Sequence, residues 1–151
     1  MKHVFGIALS AALCIAGNVA FAQPTPKPED VIKFRQGAYT VIGWYMGELG
    51  QMVKGQRPFD QKAFAKAATV IAQMSHVVPD AFLPGSDKGK THAKPEIWQE
   101  PEKFKDALSR LQTQAAKLSE VAQQGNQDQM KTQFGTLAKA CKNCHDQFRS
   151  K

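Results

Sequence analysis

The chain has 151 residues and carries 20 Lys and Arg against 13 Asp and Glu, a formal charge of +7 at neutral pH. With 42% hydrophobic and 22% charged residues, it has the apolar content of one folded domain and not of a disordered chain. The basic residues alternate with acids instead of gathering in a tract, which argues against a nucleic-acid surface.

Met1-Lys2-His3 is a short basic start, Val4 to Val19 is an apolar run, and Ala20-Phe21-Ala22 supplies a small-residue cleavage site. Residues 1–22 therefore read as a secretory signal peptide, too short and too Ala-rich for a membrane anchor. Cys14 falls inside it, preceded by the bulky Leu13 where a lipoprotein signal has a small residue, so Cys14 is not read as lipidated. Residues 23–151 form the mature domain and keep only Cys141 and Cys144. Export implies the periplasm, an oxidising space where two close thiols form a disulfide unless another reaction captures them.

The spacing predicts a first helix from Pro28, with Glu29 and Asp30 at the positive end of its dipole and a stop at Lys54-Gly55. Val31, Phe34, Ala38, Val41, Tyr45, Leu49 and Met52 recur at spacings of three and four, with Ile32, Tyr39, Ile42 and Met46 as a second stripe. Gly37, Gly43, Gly47 and Gly50 each cost about 1 kcal/mol against Ala in a helix interior. So many imply close approach by something large: a cofactor, a neighbouring helix, or the same helix of a second subunit. The wide apolar surface points to a homodimer.

Asp60 caps a second helix, in which Phe64, Ala67, Ala68, Ile71, Met74 and Val78 face inward before Pro79. A connection of about twenty residues follows, long enough to imply a role of its own, with Ile97 and Trp98 folding back over a pocket edge. Pro101 opens a third helix with Phe104, Leu108, Leu111, Ala115, Leu118 and Val121 inside, ending at Gly125. Asn126 and Gln129 resemble a capping box for a fourth, whose face carries Met130, Phe134, Leu137, Cys141, Cys144 and Phe148. The expected fold is all-α: an antiparallel four-helix bundle with a long connection between helices 2 and 3.

Cys141-Lys142-Asn143-Cys144-His145 is the pattern C-x-x-C-H of c-type haem attachment. Two thiols add across the porphyrin vinyl groups and the adjacent imidazole offers nitrogen to iron. Helical spacings of three and four put all three side chains on one face. A thioredoxin-like pair would need a βαβ context, and half a zinc site would need a second ligand pair that His76 and His92 do not provide. A Cys141–Cys144 disulfide closes too small a loop to stabilise much.

With this motif on the last of four helices, the chain resembles cytochrome c′, the four-helix class of c-type cytochromes. Lys27-Pro28-Glu29-Asp30, Arg35-Gln36, Val53-Lys54-Gly55, Lys94-Pro95-Glu96-Ile97-Trp98 and Cys141 through Arg149 carry the resemblance, the last most specifically. It implies one haem c bound through two thioethers, with His145 as the only protein ligand to a five-coordinate, high-spin iron. The opposite axial position is screened by the first helix and open to nitric oxide and carbon monoxide. Low-spin relatives place a methionine four residues after the arginine matching Arg35; this chain has Tyr39, which is expected to stack over the open face. Met46 is the rival ligand, were the helix register shifted. By resemblance Arg35 pairs with a haem propionate and Arg149, four residues after His145, lies beside the axial imidazole. Phe59, Trp98 and Phe148 are expected as walls.

The leading functional reading is nitric oxide trapping. The alternative is a low-potential electron-transfer cytochrome with a redox partner protein, and a third is a sensor whose dimer responds to ligand. No catalytic residue is assigned: a peroxidase needs a polar acid–base pair over the open site, and the first helix offers Tyr39 among apolar neighbours.

Overall fold

A computed structural model describes residues 25–151. The signal-peptide reading of residues 1–22, Cys14 included, lies outside the described residues.

Helix α1 spans Pro28–Val53, with the proline where a missing N–H costs nothing and Glu29 and Asp30 in the first turn. It ends into Gly55, whose φ is 70°. Helix α2, Gln61–Val77, starts where the Asp60 carboxylate accepts from the Ala63 N–H at 3.0 Å, and it runs into a 3₁₀ turn at Val78–Ala81. A one-turn helix α3, Glu96–Gln99, precedes α4, Pro101–Gln124. Gly125 then turns the chain at φ 82°, where a Cβ would come within 2.6 Å of the Gln61 amide nitrogen. Helix α5, Gln127–Phe148, is opened by the Asn126 side chain accepting from the Gln129 N–H at 3.0 Å. The described residues are thus mostly helical.

The four long helices share one core. Leu49, Phe64, Ile71, Leu118, Met130 and Leu137 are fully buried in it, each such side chain contributing about 1.5–3 kcal/mol. Helix α2 packs against both α1 and α4, and α4 against α5, while α1 and α5 touch more lightly than these pairs.

Two sequence expectations need correction, and a third is answered only in part. Phe34 and Val41, assigned to the interior, are exposed on an outer face with Trp44, and the covered face of α1 carries Val31, Ile32, Arg35, Ala38, Ile42, Leu49 and Met52. Helix α1 is apolar on more than one side, so periodicity alone does not choose the face that α2 and the 3₁₀ turn cover. Of the four α1 glycines, only Gly50 meets a neighbour, with Phe134 Cζ 3.6 Å from where a Cβ would sit; Gly37, Gly43 and Gly47 meet nothing within 4 Å. Packing inside this chain therefore explains one of the four. Last, Arg149 does not continue α5 but leaves it extended, at φ −122° and ψ 129°. No helix among the described residues is long and apolar enough to cross a membrane.

Candidate functional site

Cys141 and Cys144 lie half-buried against the core on one face of α5, both as free thiols. Burial raises the Cys144 thiol to about 11, with nearby Cys141 as a second cause, and burial raises Cys141 too. Both are protonated at neutral pH. His145, next in sequence, is exposed. Its imidazole is held below its ordinary value by partial burial first and by the Arg149 guanidinium second, against a smaller opposite pull from Asp146. The neutral ring has a lone pair to offer a metal.

Tyr39 of α1 is packed, partly buried, against the same core as these thiols. Burial pushes its phenol well above the ordinary range, and Cys144 and Cys141 add to the shift while Arg35 opposes it. Tyr39 is therefore a neutral hydrogen-bond donor across the α1–α5 seam from the cysteine pair. Its ring meets Phe82 edge-on, with centroids 6.4 Å apart.

One turn earlier, Arg35 is only 4% exposed. Its guanidinium donates to Ala81 O at 2.9 Å, Ser86 Oγ at 3.0 Å, Ser86 O at 2.7 Å and Thr91 Oγ1 at 2.9 Å. It also lies 5.0 Å from the centroid of Phe82 and 5.8 Å from that of Trp98. None of these partners is acidic, so among the described residues this buried cation has no paired countercharge. The four Nη hydrogens all turn inward, leaving Nε–H as the one donor for a group outside this cage. Desolvation correspondingly holds the guanidinium below its ordinary value.

A strip of the connection, missed by the sequence reading, reaches the other side of the site. The Lys94 N–H donates to Phe148 O at 3.0 Å and the Ser150 N–H to His92 O at 2.8 Å, forming an antiparallel bridge between Ala93 and Arg149. Lys94 Nζ donates at 3.2 Å to the carbonyls of both Asp146 and Gln147. The sequence signal was a lysine in a Pro-containing loop, which has no local reason to cap a helix fifty residues away.

The remaining expectations divide. Phe59 stacks on Phe64 at 5.2 Å, Phe148 meets Phe104 edge-on at 5.2 Å, and the Trp98 indole N–H donates to Phe82 O at 3.3 Å. Met46 is half-buried beside the core, whereas His76 and His92 are exposed. A cleft of 140 Å³ borders Cys144, but it lies between α4 and α5, lined by Lys103, Asp106, Arg110 and Asn143 among others. Tyr39 is not among the residues that line it.

The donor set suits a haem. Two adjacent thiols, a neutral imidazole and a buried cation without a countercharge fit a macrocycle that brings vinyl groups, iron and carboxylates. Among the described residues no group of three or more His, Cys, Asp or Glu could hold a metal ion, so iron on His145 would need its other ligands from a cofactor.

The family model for cytochrome c′ matches residues 30–149. A cytochrome c′ of Rubrivivax gelatinosus is 37% identical over 126 residues, covering 83% of this chain and 98% of the relative. The nitric oxide complex of a cytochrome c′ variant from Alcaligenes xylosoxidans superposes with a TM-score of 0.77 at 37% identity, covering 83% of this chain and 98% of that one. A cytochrome c′ described as having a ligand-controlled dimer dissociation superposes with a TM-score of 0.80 at 32% identity, covering 85% and 100%.

Proposed function

This chain belongs to the cytochrome c′ family, a family of haem-binding proteins, and from that premise we propose that it is an exported periplasmic protein that traps nitric oxide. The single observation that carries this reading is the pairing of Cys141, Cys144 and His145 on α5 with Tyr39, not a methionine or histidine, opposite them on α1. The four long helices are read as an antiparallel bundle, with residues 78–100 as its long connection. Residues 1–22 are read as the export signal. Cys141 and Cys144 would hold a haem through two thioethers, and its iron would supply the chemistry of binding a diatomic gas. His145 is its one protein ligand, and its depressed proton affinity keeps the nitrogen free for that bond. Tyr39 would screen the space across from the cysteine pair from water, and its protonated phenol would be a hydrogen-bond donor to a ligand bound there. Arg35 holds the connection in place and has Nε–H left for a propionate. Arg149 sets a positive charge beside the imidazole.

The A. xylosoxidans neighbour is a nitric oxide complex, which supports gas capture as the role. A second reading, low-potential electron transfer to a redox partner protein, is favoured by one observation: the chain carries 20 Lys and Arg against 13 Asp and Glu, a net positive charge suited to an acidic protein. An absorption spectrum of the reduced protein with and without carbon monoxide separates the two. A high-spin spectrum shifted by the gas is expected; a low-spin spectrum indifferent to it would leave electron transfer.

The outer face of α1 is read as the contact of a homodimer. Trp44 is 68% and Phe34 47% exposed there, with Val41 between them, an apolar stripe of the kind that marks an interface. A neighbour with a ligand-controlled dimer supports the assignment. Trp44→Glu is expected to turn a dimer into a monomer in sedimentation equilibrium; a wild-type monomer at all concentrations would remove this reading.

A further inference from the structure

We propose that Phe82 is a positioning residue for Tyr39: it is the seat on which the tyrosine ring rests, so the connection after α2, and not α1 alone, sets how readily the screen opens. This role rests on the reading of Tyr39 as the screen of a gas-binding haem and adds the residue that holds it.

A tyrosine ring is not fixed by its backbone, because its terminal torsion is broad. What fixes it is whatever it packs against. Among the described residues, the ring that pairs with Tyr39 is Phe82, edge-on, with centroids 6.4 Å apart and planes at 73°.

Phe82 is itself gripped at backbone and ring. It follows the 3₁₀ turn Val78–Ala81, and its N–H donates to Pro79 O at 3.3 Å. Its carbonyl accepts from the Trp98 indole N–H, also at 3.3 Å. Its ring meets Phe104 edge-on at 4.6 Å, lies 6.2 Å from the Trp98 ring, and has the Arg35 guanidinium carbon 5.0 Å from its centroid. Helices α1, α3 and α4 thus each set one group against this ring.

The hold on Phe82 returns to the helix that carries Tyr39. Arg35, one turn before Tyr39 on α1, donates to the carbonyls of Ala81 and Ser86, which flank Phe82 in the chain. The connection is therefore tied to α1 at the Arg35 level and meets it again, ring against ring, at Tyr39. A ligand that displaces the tyrosine must break the edge-on contact while Phe82 stays where the other groups hold it.

The test uses the haem-loaded full chain, reduced, with carbon monoxide as the probe and flash photolysis as the measurement. Phe82→Leu is expected to raise the association rate by about twofold to tenfold, the value of one aromatic pair. In a Tyr39→Ala background the same change should add nothing. Leu118→Ala, at a fully buried core site outside these ring pairs, should lower stability and leave the rate alone. A second measurement does not involve the gas. The chain has two tyrosines, Tyr39 and Tyr45, so Tyr45→Phe with ring-deuterated tyrosine leaves Tyr39 as the one labelled ring. Its ultraviolet resonance Raman bands in the gas-free protein should shift in Phe82→Leu and hold in Leu118→Ala. Trp98→Phe, which removes the indole N–H that holds the Phe82 carbonyl, serves if Phe82→Leu does not fold, with smaller changes in the same direction. Tyr39 bands unmoved by Phe82→Leu, a wild-type rate in that variant beside a raised rate in Tyr39→Ala, or an increase that persists undiminished without the Tyr39 ring would each overturn the role of Phe82 and leave the screen standing. A wild-type rate in Tyr39→Ala would overturn the screen, and the seat with it.

Discussion

Replacing Tyr39 by Ala is expected to raise the association rate of carbon monoxide with the reduced protein by about tenfold or more, the equivalent of about 1.4 kcal/mol of barrier. The barrier is the work of moving a ring that is half-buried and packed edge-on against Phe82. Aromatic pairs of this kind contribute about 0.5–1.5 kcal/mol beyond the area they bury, and the displaced ring must also find new space. Gly43, four residues on, has nothing within 4 Å of its Cβ position, so α1 has room to yield. Tyr39→Phe separates the ring from its hydroxyl. It should leave the association rate nearly unchanged and speed dissociation if the phenol donates to the bound gas. Stopped-flow or flash photolysis measures both rates. An association rate in Tyr39→Ala equal to the wild type would mean that Tyr39 is ordinary packing and that something else screens the site.

Arg35→Met should lower the unfolding free energy of the haem-loaded protein by about 3 kcal/mol. Methionine matches much of the length of arginine but leaves the carbonyls of Ala81 and Ser86 without their donor, and each unsatisfied buried group costs about 1–3 kcal/mol. The desolvation that depresses the guanidinium is recovered in the variant, which is why the loss is smaller than the sum of four hydrogen bonds. Arg35→Lys keeps the charge without the planar fork and should regain less than half of the difference. Denaturant titration supplies the number, and limited proteolysis should show earlier cutting between residues 82 and 94. A loss below about 1 kcal/mol would mean that the connection holds itself and that Arg35 is available for other partners.

What was legible in the sequence was whatever a local signal encodes. The Asp60 and Asn126 caps, the stop at Gly125 and the six-residue apolar stripe of α4 all stand where spacing put them, because capping and helical periodicity act within a few residues. Cys141 and Cys144 share a face for the same reason. What failed was non-local. Phe34 and Val41 satisfy the helical period as well as Ile32 and Ala38 do, and only the placement of α2 and the 3₁₀ turn decides which set is covered. Arg35, expected by resemblance to meet a propionate, gave no local sign of its acceptors on Ser86 and Thr91, about fifty positions away. Arg149 was placed by helical spacing from His145, yet its backbone follows the strip at His92–Lys94. Those pairings join segments whose sequences say nothing about each other.

The central claim is that one haem is bonded through Cys141 and Cys144 at the end of α5. Peptide mass spectrometry of the mature protein, purified from the periplasm of a host competent for cytochrome c assembly, tests it most directly. The expected result is a C-terminal peptide containing both cysteines and carrying one haem, with the modification lost when both are changed to Ala. A peptide recovered with two free thiols, or with a Cys141–Cys144 disulfide and no added macrocycle, would contradict it.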